Sequence, residues 1–346
     1  MDPSAANGAF LQVDPTGRTV MVGAKKSPDQ VMTKAFGEPY LDYRRAWAEA
    51  ERFAKKTDWP LHLDVDVNVT CNLACVMCPL GQKKFPVPYD RKFLEFDLYR
   101  RVLTEGASRG LAALRLGVTG EPLLRPDISD FVRLARDLGV LDIMLITNGL
   151  LLTPEMSGTL MDAGLTRLMV SLDAIRPETY LRLRPGGNFQ QTMANVMTFL
   201  ELRNSRGRSL PLLRVSFVRT ALNHGEQDEF KAFWESRADY LGFQEYSDLM
   251  ETGGPGLFPP DRRRTTDFRC ADPWQRMSLF VNGDLFPCCS DFGRLRPIGN
   301  ANRAGVEQAW KSEAAEKLRE LHREGRWAEH PICRRCAAVS TGASGS

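Results

Sequence analysis

Residues 61–78 read LHLDVDVNVTCNLACVMC. Apolar and polar residues alternate with period two through Val69, which predicts a β-strand. The strand delivers the chain into three cysteines, Cys71, Cys75 and Cys78, spaced C-x3-C-x2-C. A loop this short folds its thiols around one centre, because they can reach nothing else. A tetrahedral structural zinc wants a fourth ligand nearby, and none is close in sequence. An iron–sulfur cubane on three thiolates leaves one iron open to a substrate or cofactor.

Beyond this loop the pattern becomes rhythmic. Helical stretches near 97–109, 127–138, 154–163, 177–205 and 225–236 alternate with strands at ALRLGVT (113–119), LDIMLIT (141–147), TRLMVSL (166–172), LLRVSFV (212–218) and 239–246. Six strands separated by helix-length segments predict a parallel α/β sheet with its chemistry at the strand C-terminal ends. The stretch ETGGPGLFPPDRRR (251–264) breaks the rhythm and reads as a linker or flap. After it, 276–287 reads as a hairpin turning at Asn282-Gly283, and a charged helix near 304–324 leads to Cys333-x2-Cys336. The closing AAVSTGASGS reads as a disordered tail. Residues 1–60 hold a polar lead and an amphipathic helix, YRRAWAEAERFAKK, with no chemistry evident.

Composition is that of an ordinary globular chain, 43% hydrophobic and 26% charged over 346 residues, with a formal net charge of +3. Charges of both signs are interspersed, so neither nucleic acid nor a membrane surface is the expected partner. No apolar run is long enough to span a bilayer and MDPSAANGAF lacks signal-peptide features, so a cytoplasmic protein is expected. Eight cysteines without a secretion signal point to metal ligation, and four unpaired histidines point away from a histidine-rich site.

The segment Cys71-Asn72-Leu73-Ala74-Cys75-Val76-Met77-Cys78 resembles the radical S-adenosylmethionine superfamily, although Met77 stands where that family usually has an aromatic residue. A thioether can still cover an adenine face. Gly120-Glu121-Pro122 resembles the latter part of the motif that holds the cofactor's amino group, with Thr119 in place of its first glycine. Asn148 ends the third strand, and Ser171 and Asp173 end the fourth. The resemblance implies that Ser171 and either Arg182 or Arg184 grip the methionine carboxylate. Each has a plainer alternative: a turn for 120–122, helix capping for Ser171 and Asp173, a solvated surface for either arginine.

Cys270, Cys288, Cys333 and Cys336, with Pro273-Trp274, Asn282-Gly283-Asp284 and Gly299-Asn300, resemble the SPASM appendage of the same superfamily in its shortened, twitch form. The resemblance implies one auxiliary 4Fe-4S cluster closed by four thiolates, making two 4Fe-4S clusters in all; a zinc ribbon is the alternative. Family spacing favours Cys288 over Cys289 as ligand. Cys289, expected on a strand, is then either a small buried residue or a hydrogen-atom donor facing the barrel mouth.

These readings give an N-terminal extension (1–60), a partial (β/α)6 TIM-like barrel (61–250), a SPASM/twitch unit (251–338) and a tail (339–346). The implied activity is that of a radical oxidoreductase, a dehydrogenase or epimerase acting on a sugar, cyclitol or similar small molecule, as 2-deoxy-scyllo-inosamine dehydrogenase does. Its partners would be that substrate and an electron donor such as flavodoxin or ferredoxin. Arg219, Glu245 and Tyr246 are the polar candidates at strand ends. The alternatives are modification of a ribosomal peptide and a non-catalytic iron–sulfur or zinc scaffold.

Overall fold

Along each strand of the sheet, residues of one parity are apolar and buried beneath helices: Leu63 and Val65, Leu114 and Leu116, Ile143 and Leu145, Leu168 and Val170, Leu213 and Val215. In the computed structural model, which describes residues 10–14, 19–23, 27–84, 92–248, 255–262, 268–291 and 296–341, these form six parallel strands. Numbered in chain order, they are β3 (His62–Val65), β4 (Ala113–Leu116), β5 (Asp142–Thr147), β6 (Arg167–Ser171), β7 (Leu212–Arg219) and β8 (Tyr240–Glu245). Chain order and spatial order coincide, with every neighbouring pair parallel. Helices α3 (Phe96–Ala107), α4 (Ile128–Asp137), α5 (Pro154–Ala163), α6 (Pro177–Leu183), α7 (Phe189–Ser205) and α8 (Gln227–Trp234) cover the apolar face. This is the expected α/β partial barrel.

The opposite parity is polar, with Asp64, Arg214 and Ser216 buried and Arg115 partly so. Curvature of the sheet turns these residues inward. Leu61, Ala113, Leu212 and Tyr240, from strands far apart in the sheet order, share one apolar cluster at the N-terminal ends of the strands.

The first 60 residues are more structured than the sequence suggests. Strands β1 (Phe10–Val13) and β2 (Thr19–Gly23) form a hairpin whose second strand runs antiparallel to β8. Helix α1 (Pro28–Phe36) starts at a capping box, the Ser27 hydroxyl accepting from Gln30 N while the Gln30 side chain accepts from Ser27 N. Helix α2 (Glu38–Glu51) follows, earlier than the 43–56 stretch suggested. Met32, Tyr40 and Tyr43 close the barrel floor, where the Tyr40 hydroxyl donates to Asp29 at 2.7 Å and accepts from Arg167 at 3.0 Å.

At the other edge, β9 (Arg276–Leu279) pairs parallel to β3, and β10 (Asp284–Phe286) and β11 (Gly299–Asn300) continue antiparallel. The C-terminal unit is therefore continuous with the barrel sheet. The expected hairpin is present, with Gly283 at a positive φ of 89° in its turn. Helices α9 (Asp272–Gln275), α10 (Val306–Trp310), α11 (Glu313–Arg323) and α12 (Pro331–Thr341) complete it. Helix α12 runs through Thr341, correcting the tail expected from residue 339; residues 342–346 lie outside the described residues, as do 251–254 and 263–264 of the 251–264 stretch. No helix among the described residues is long and apolar enough to cross a membrane.

Candidate functional site

The cysteine loop leaves β3 at the C-terminal face of the barrel and is held from two sides by hydrogen bonds to backbone. Ala74 N donates to Pro185 O at 2.9 Å and Val76 N to Leu183 O at 3.0 Å, tying it to the end of α6. Glu121 N donates to Thr70 O at 2.8 Å, and the Asn68 side chain donates to Glu121 O at 2.8 Å, tying it to the segment after β4. Two glycines permit the approach: a Cβ on Gly120 would lie 2.4 Å from Asn68 Oδ1, and one on Gly81 would lie 2.6 Å from Cys75 N. Cys75 is buried, Cys78 half-buried and Cys71 exposed. Burial pushes the Cys75 thiol up to about 11, only partly offset by Arg184, and burial also raises Cys71. Thiolates here require a cationic centre, which the donor set fits.

The other cofactor landmarks ring this loop. Glu121 is buried, its carboxylate accepting from Thr147 Oγ1 at 2.6 Å, Asn148 N at 2.7 Å and Leu123 N at 3.1 Å. Burial holds its pKa above the ordinary carboxylate range, so a nearby ammonium would relieve it. Pro122, buried behind it, starts a 3-10 turn. Asn148 Nδ2 donates to Asn72 Oδ1 at 2.8 Å, and Met77 packs half-buried on the barrel core. Thr119 donates from its N and Oγ1 to Asp66 at 2.7 and 2.6 Å, a side-chain anchor that a glycine there would lack.

Ser171 ends β6, and Asp173 follows in a left-handed conformation, φ 64°. Asp173 caps no helix. One carboxylate oxygen accepts from Val218 N at 2.8 Å and the other is paired with Arg184, whose Nη1 lies 3.6 Å from Cys75 Sγ. The two arginines thus separate: Arg184 is buried beside the cysteine loop, whereas Arg182 is exposed. Arg182 is dropped from the site.

Cys270, Cys288, Cys333 and Cys336 line a single cavity together with His322 and His330. Burial pushes Cys333 up to about 12 and raises Cys270 and Cys288 well above the usual thiol range. His322 Nε2 lies 3.3 Å and His330 Nδ1 3.4 Å from Cys333 Sγ. The donor set fits a closed cluster, with two imidazoles against one sulfur. Neither histidine is singled out by sequence, since their spacing matches no ligand pattern.

Cys289 does not line this cavity. It follows the end of β10 in a turn rather than a strand, and its thiol lies beside Arg115 of β4, with Arg276 nearby. Arg219 and Glu245 are buried and engaged with each other at 2.6 Å, and Arg219 also reaches Asp261 at 2.7 Å. This places them as a structural ion pair at the ends of β7 and β8, and Tyr246 packs against Phe258. The arginine that the sequence reading passed over is Arg214, buried on the inner face of β7. Its signal was present in LLRVSFV, a cation between apolar neighbours inside a strand.

Comparison with known proteins agrees with this geometry. Residues 65–226 match the radical SAM superfamily, and residues 270–337 match the SPASM iron–sulfur cluster-binding domain. Among curated relatives, a GTP 3',8-cyclase of Limosilactobacillus fermentum is 31% identical over 220 residues, 58% of this chain and 65% of that enzyme. One of Acidothermus cellulolyticus is 32% identical over 197 residues, 55% of this chain and 53% of that enzyme. The alignments thus span roughly half to two thirds of those relatives' lengths. Among solved structures, BtrN in complex with AdoMet and 2-DOIA superposes with a TM-score of 0.52 at 18% identity, covering 82% of this chain and 95% of BtrN. SuiB of Streptococcus suis bound to its precursor peptide SuiA gives 0.61 at 14% identity, covering 90% and 89%. At such identities the likeness is one of fold. The chain belongs to the radical SAM superfamily and carries a C-terminal SPASM domain.

Proposed function

We propose that this radical SAM enzyme abstracts hydrogen from a small polar molecule held in the barrel and oxidises it, using a twitch-type C-terminal unit with one auxiliary cluster. When bound, the first 4Fe-4S cluster with S-adenosylmethionine supplies a 5′-deoxyadenosyl radical, and the auxiliary 4Fe-4S cluster supplies a one-electron acceptor. Cys71, Cys75 and Cys78 would hold the former, with Glu121 toward the cofactor's amino group and Ser171 and Arg184 toward its carboxylate. Cys270, Cys288, Cys333 and Cys336 would hold the latter.

The observation that carries the reading is the four-cysteine cavity. Four thiolates leave no iron open for substrate, which suits an electron carrier. The N-terminal helices support a small substrate over a peptide, because their apolar faces are spent on the barrel floor. Epimerisation is the second reading. Cys289, lying against Arg115 on the inner face, favours it as a hydrogen-atom donor.

The test is anaerobic incubation of cluster-loaded protein with S-adenosylmethionine, flavodoxin or dithionite, and a panel of sugars, cyclitols, their acids and GTP. A product short of one hydrogen molecule, with equimolar 5′-deoxyadenosine, supports oxidation. Unchanged mass with inverted stereochemistry supports epimerisation. A ring-closed product would align the chain with the GTP 3',8-cyclases and overturn both.

A further inference from the structure

Cys333 and Cys336 stand three residues apart on α12 and line the cavity, so the two residues between them turn away from it. Both are arginines, Arg334 and Arg335, and both are exposed. Several exposed arginines elsewhere hold carboxylates, Arg100 with Asp97 and Arg176 with Glu229, each at 2.7 Å. These two do not. Helix α12 carries no acid from Pro331 to Thr341, and the acids just before it, Glu324 and Glu329, are both taken by Arg326, at 2.8 and 2.7 Å. A third exposed arginine, Arg296, belongs to another wall of the cavity, where its N donates to Asp291 Oδ2 at 3.1 Å. Burial, and then the Arg296 charge, hold His330 below the usual imidazole range, so this cation stands near the histidine that reaches Cys333. None of the three arginines forms an ion pair with another described residue.

The cavity comes close to the surface on this side. Two of its lining residues, His330 and Ile332, are only half-buried, and they flank Pro331 at the start of α12. Trp327, also half-buried, packs edge-on against Phe268 of the lining, ring centroids 4.9 Å apart. Half-buried apolar residues thus lie beside unpaired cations. An α-helix is about 10–12 Å across with its side chains, so a partner seated on Arg334 and Arg335 approaches two of the four thiols across a single helix.

We infer that Arg334 and Arg335, with Arg296, form the docking surface for an acidic one-electron carrier protein that takes the electron out of the auxiliary centre. The inference rests on the proposed oxidation, in which each turnover leaves one electron there. The carrier removes that electron and the centre returns to its oxidised state; where the carrier is a flavoprotein, the electron and one proton from water convert its flavin quinone to the neutral semiquinone. Opposite charge on the two surfaces raises the encounter rate without demanding a tight complex, so the reduced carrier can leave. Weak electron-transfer encounters use small interfaces, which one helix face and its flank can supply.

The test uses no substrate, so its failure is distinguishable from failure of the proposed oxidation. Cluster-loaded protein, reduced with dithionite and freed of excess, is mixed anaerobically with oxidised flavodoxin, an acidic carrier. Freeze-quench electron paramagnetic resonance follows the two clusters' signals separately. At low ionic strength the auxiliary centre should reoxidise roughly tenfold or more slowly in Arg334→Glu/Arg335→Glu than in wild type, with iron content unchanged. Arg334→Lys/Arg335→Lys should keep the wild-type rate, since charge is what the carrier reads. Arg133→Glu/Lys231→Glu, the same reversal on α4 and α8, should keep it too. Wild type and the α12 reversal should converge near about 1 M salt, where the screening length falls to about 3 Å. Cytochrome c, a basic carrier, should invert their order. Equal auxiliary rates in wild type and the α12 reversal at low salt, or equal slowing by the α4/α8 reversal, would overturn the surface. Retention of an oligonucleotide by the wild type alone, with flavodoxin transfer unchanged between the two, would assign the arginines to nucleic acid and overturn it as well. A centre that dithionite leaves unreduced would overturn the proposed oxidation and this surface together.

Discussion

The first cysteine group hangs on a loop whose thiols run from exposed Cys71 through half-buried Cys78 to buried Cys75, while three thiols of the second, Cys270, Cys333 and Cys336, are buried around one cavity. A cation stands beside the first, Arg184 at 3.6 Å from Cys75; imidazoles stand beside the second, His322 and His330 against Cys333. The difference follows from ligand count. Three thiolates on this loop would leave one iron of a cubane open, whereas four in one cavity would leave none.

The largest effect expected from breaking this contrast is complete. Replacing Cys71, Cys75 and Cys78 together by alanine should reduce reconstituted iron from about eight to about four per chain and abolish 5′-deoxyadenosine formation. Iron analysis and product chromatography read both. Retained cofactor cleavage would remove the assignment of the open site to this loop.

The second comparison sets two adjacent cysteines against each other. Cys288→Ala should lose about four irons and the auxiliary cluster's spectrum while still cleaving S-adenosylmethionine under dithionite. Cys289→Ala should keep its iron, because that thiol faces Arg115 and not the cavity. Equal iron loss in both variants would merge the two environments that the structure separates.

Much of this was legible in the sequence where a residue's role depends on local spacing. The six strands, the hairpin at Asn282-Gly283 and both cysteine groups announce themselves within a few residues of chain. Roles that depend on phase or on distant partners do not. Arg182 and Arg184 lie two apart at the end of one helix, and only the fold shows which faces Asp173. FLQV and TVMVG are short and pair with each other, and TVMVG is fixed as a strand by β8, more than 200 residues away. The end of the last helix reads as a tail until Ala337 is seen packing with Phe268 and Cys336. Arg214 was visible as a cation within a strand, but that its Nε and Nη2 find no hydrogen-bond partner among the described residues is a property of the barrel interior.

A smaller effect tests whether the two regions share one framework. Asp64 on β3 accepts from His62 at 3.0 Å, pairs with Arg115 of β4 at 2.8 Å and faces Arg276 of β9 at 3.7 Å, so one carboxylate joins the strand of the first group to the hairpin of the second. Burial alone would raise its pKa, but Arg115 and His62 hold it well below the usual range. A depressed folded-state pKa contributes stability above the unfolded value of about 4, and that contribution is lost as pH falls below it. Asp64→Asn should therefore cost about 3–5 kcal/mol at neutral pH. The gap from wild type should narrow in melts below about pH 4. A gap independent of pH would mean that the carboxylate's charge is not what joins the strands.

The smallest effect concerns the imidazoles. His330 and His322 reach Cys333 from two elements, and an N–H directed at a cluster sulfur stabilises the reduced, more negative state, which raises the reduction potential. One such hydrogen bond contributes about 0.5–1.5 kcal/mol. For a one-electron couple, at about 59 mV per tenfold, that is a shift of roughly 20–60 mV. His330→Ala should accordingly lower the auxiliary cluster's midpoint by that amount in a spectroscopic redox titration, leaving iron content and the first cluster's potential unchanged. Arg184 offers the contrast, since its guanidinium lies beside Cys75, so Arg184→Met should move the first cluster's potential and spare the second. If His330→Ala moves both potentials together, the two centres are not electronically separate, and the division of labour drawn from their surroundings does not hold.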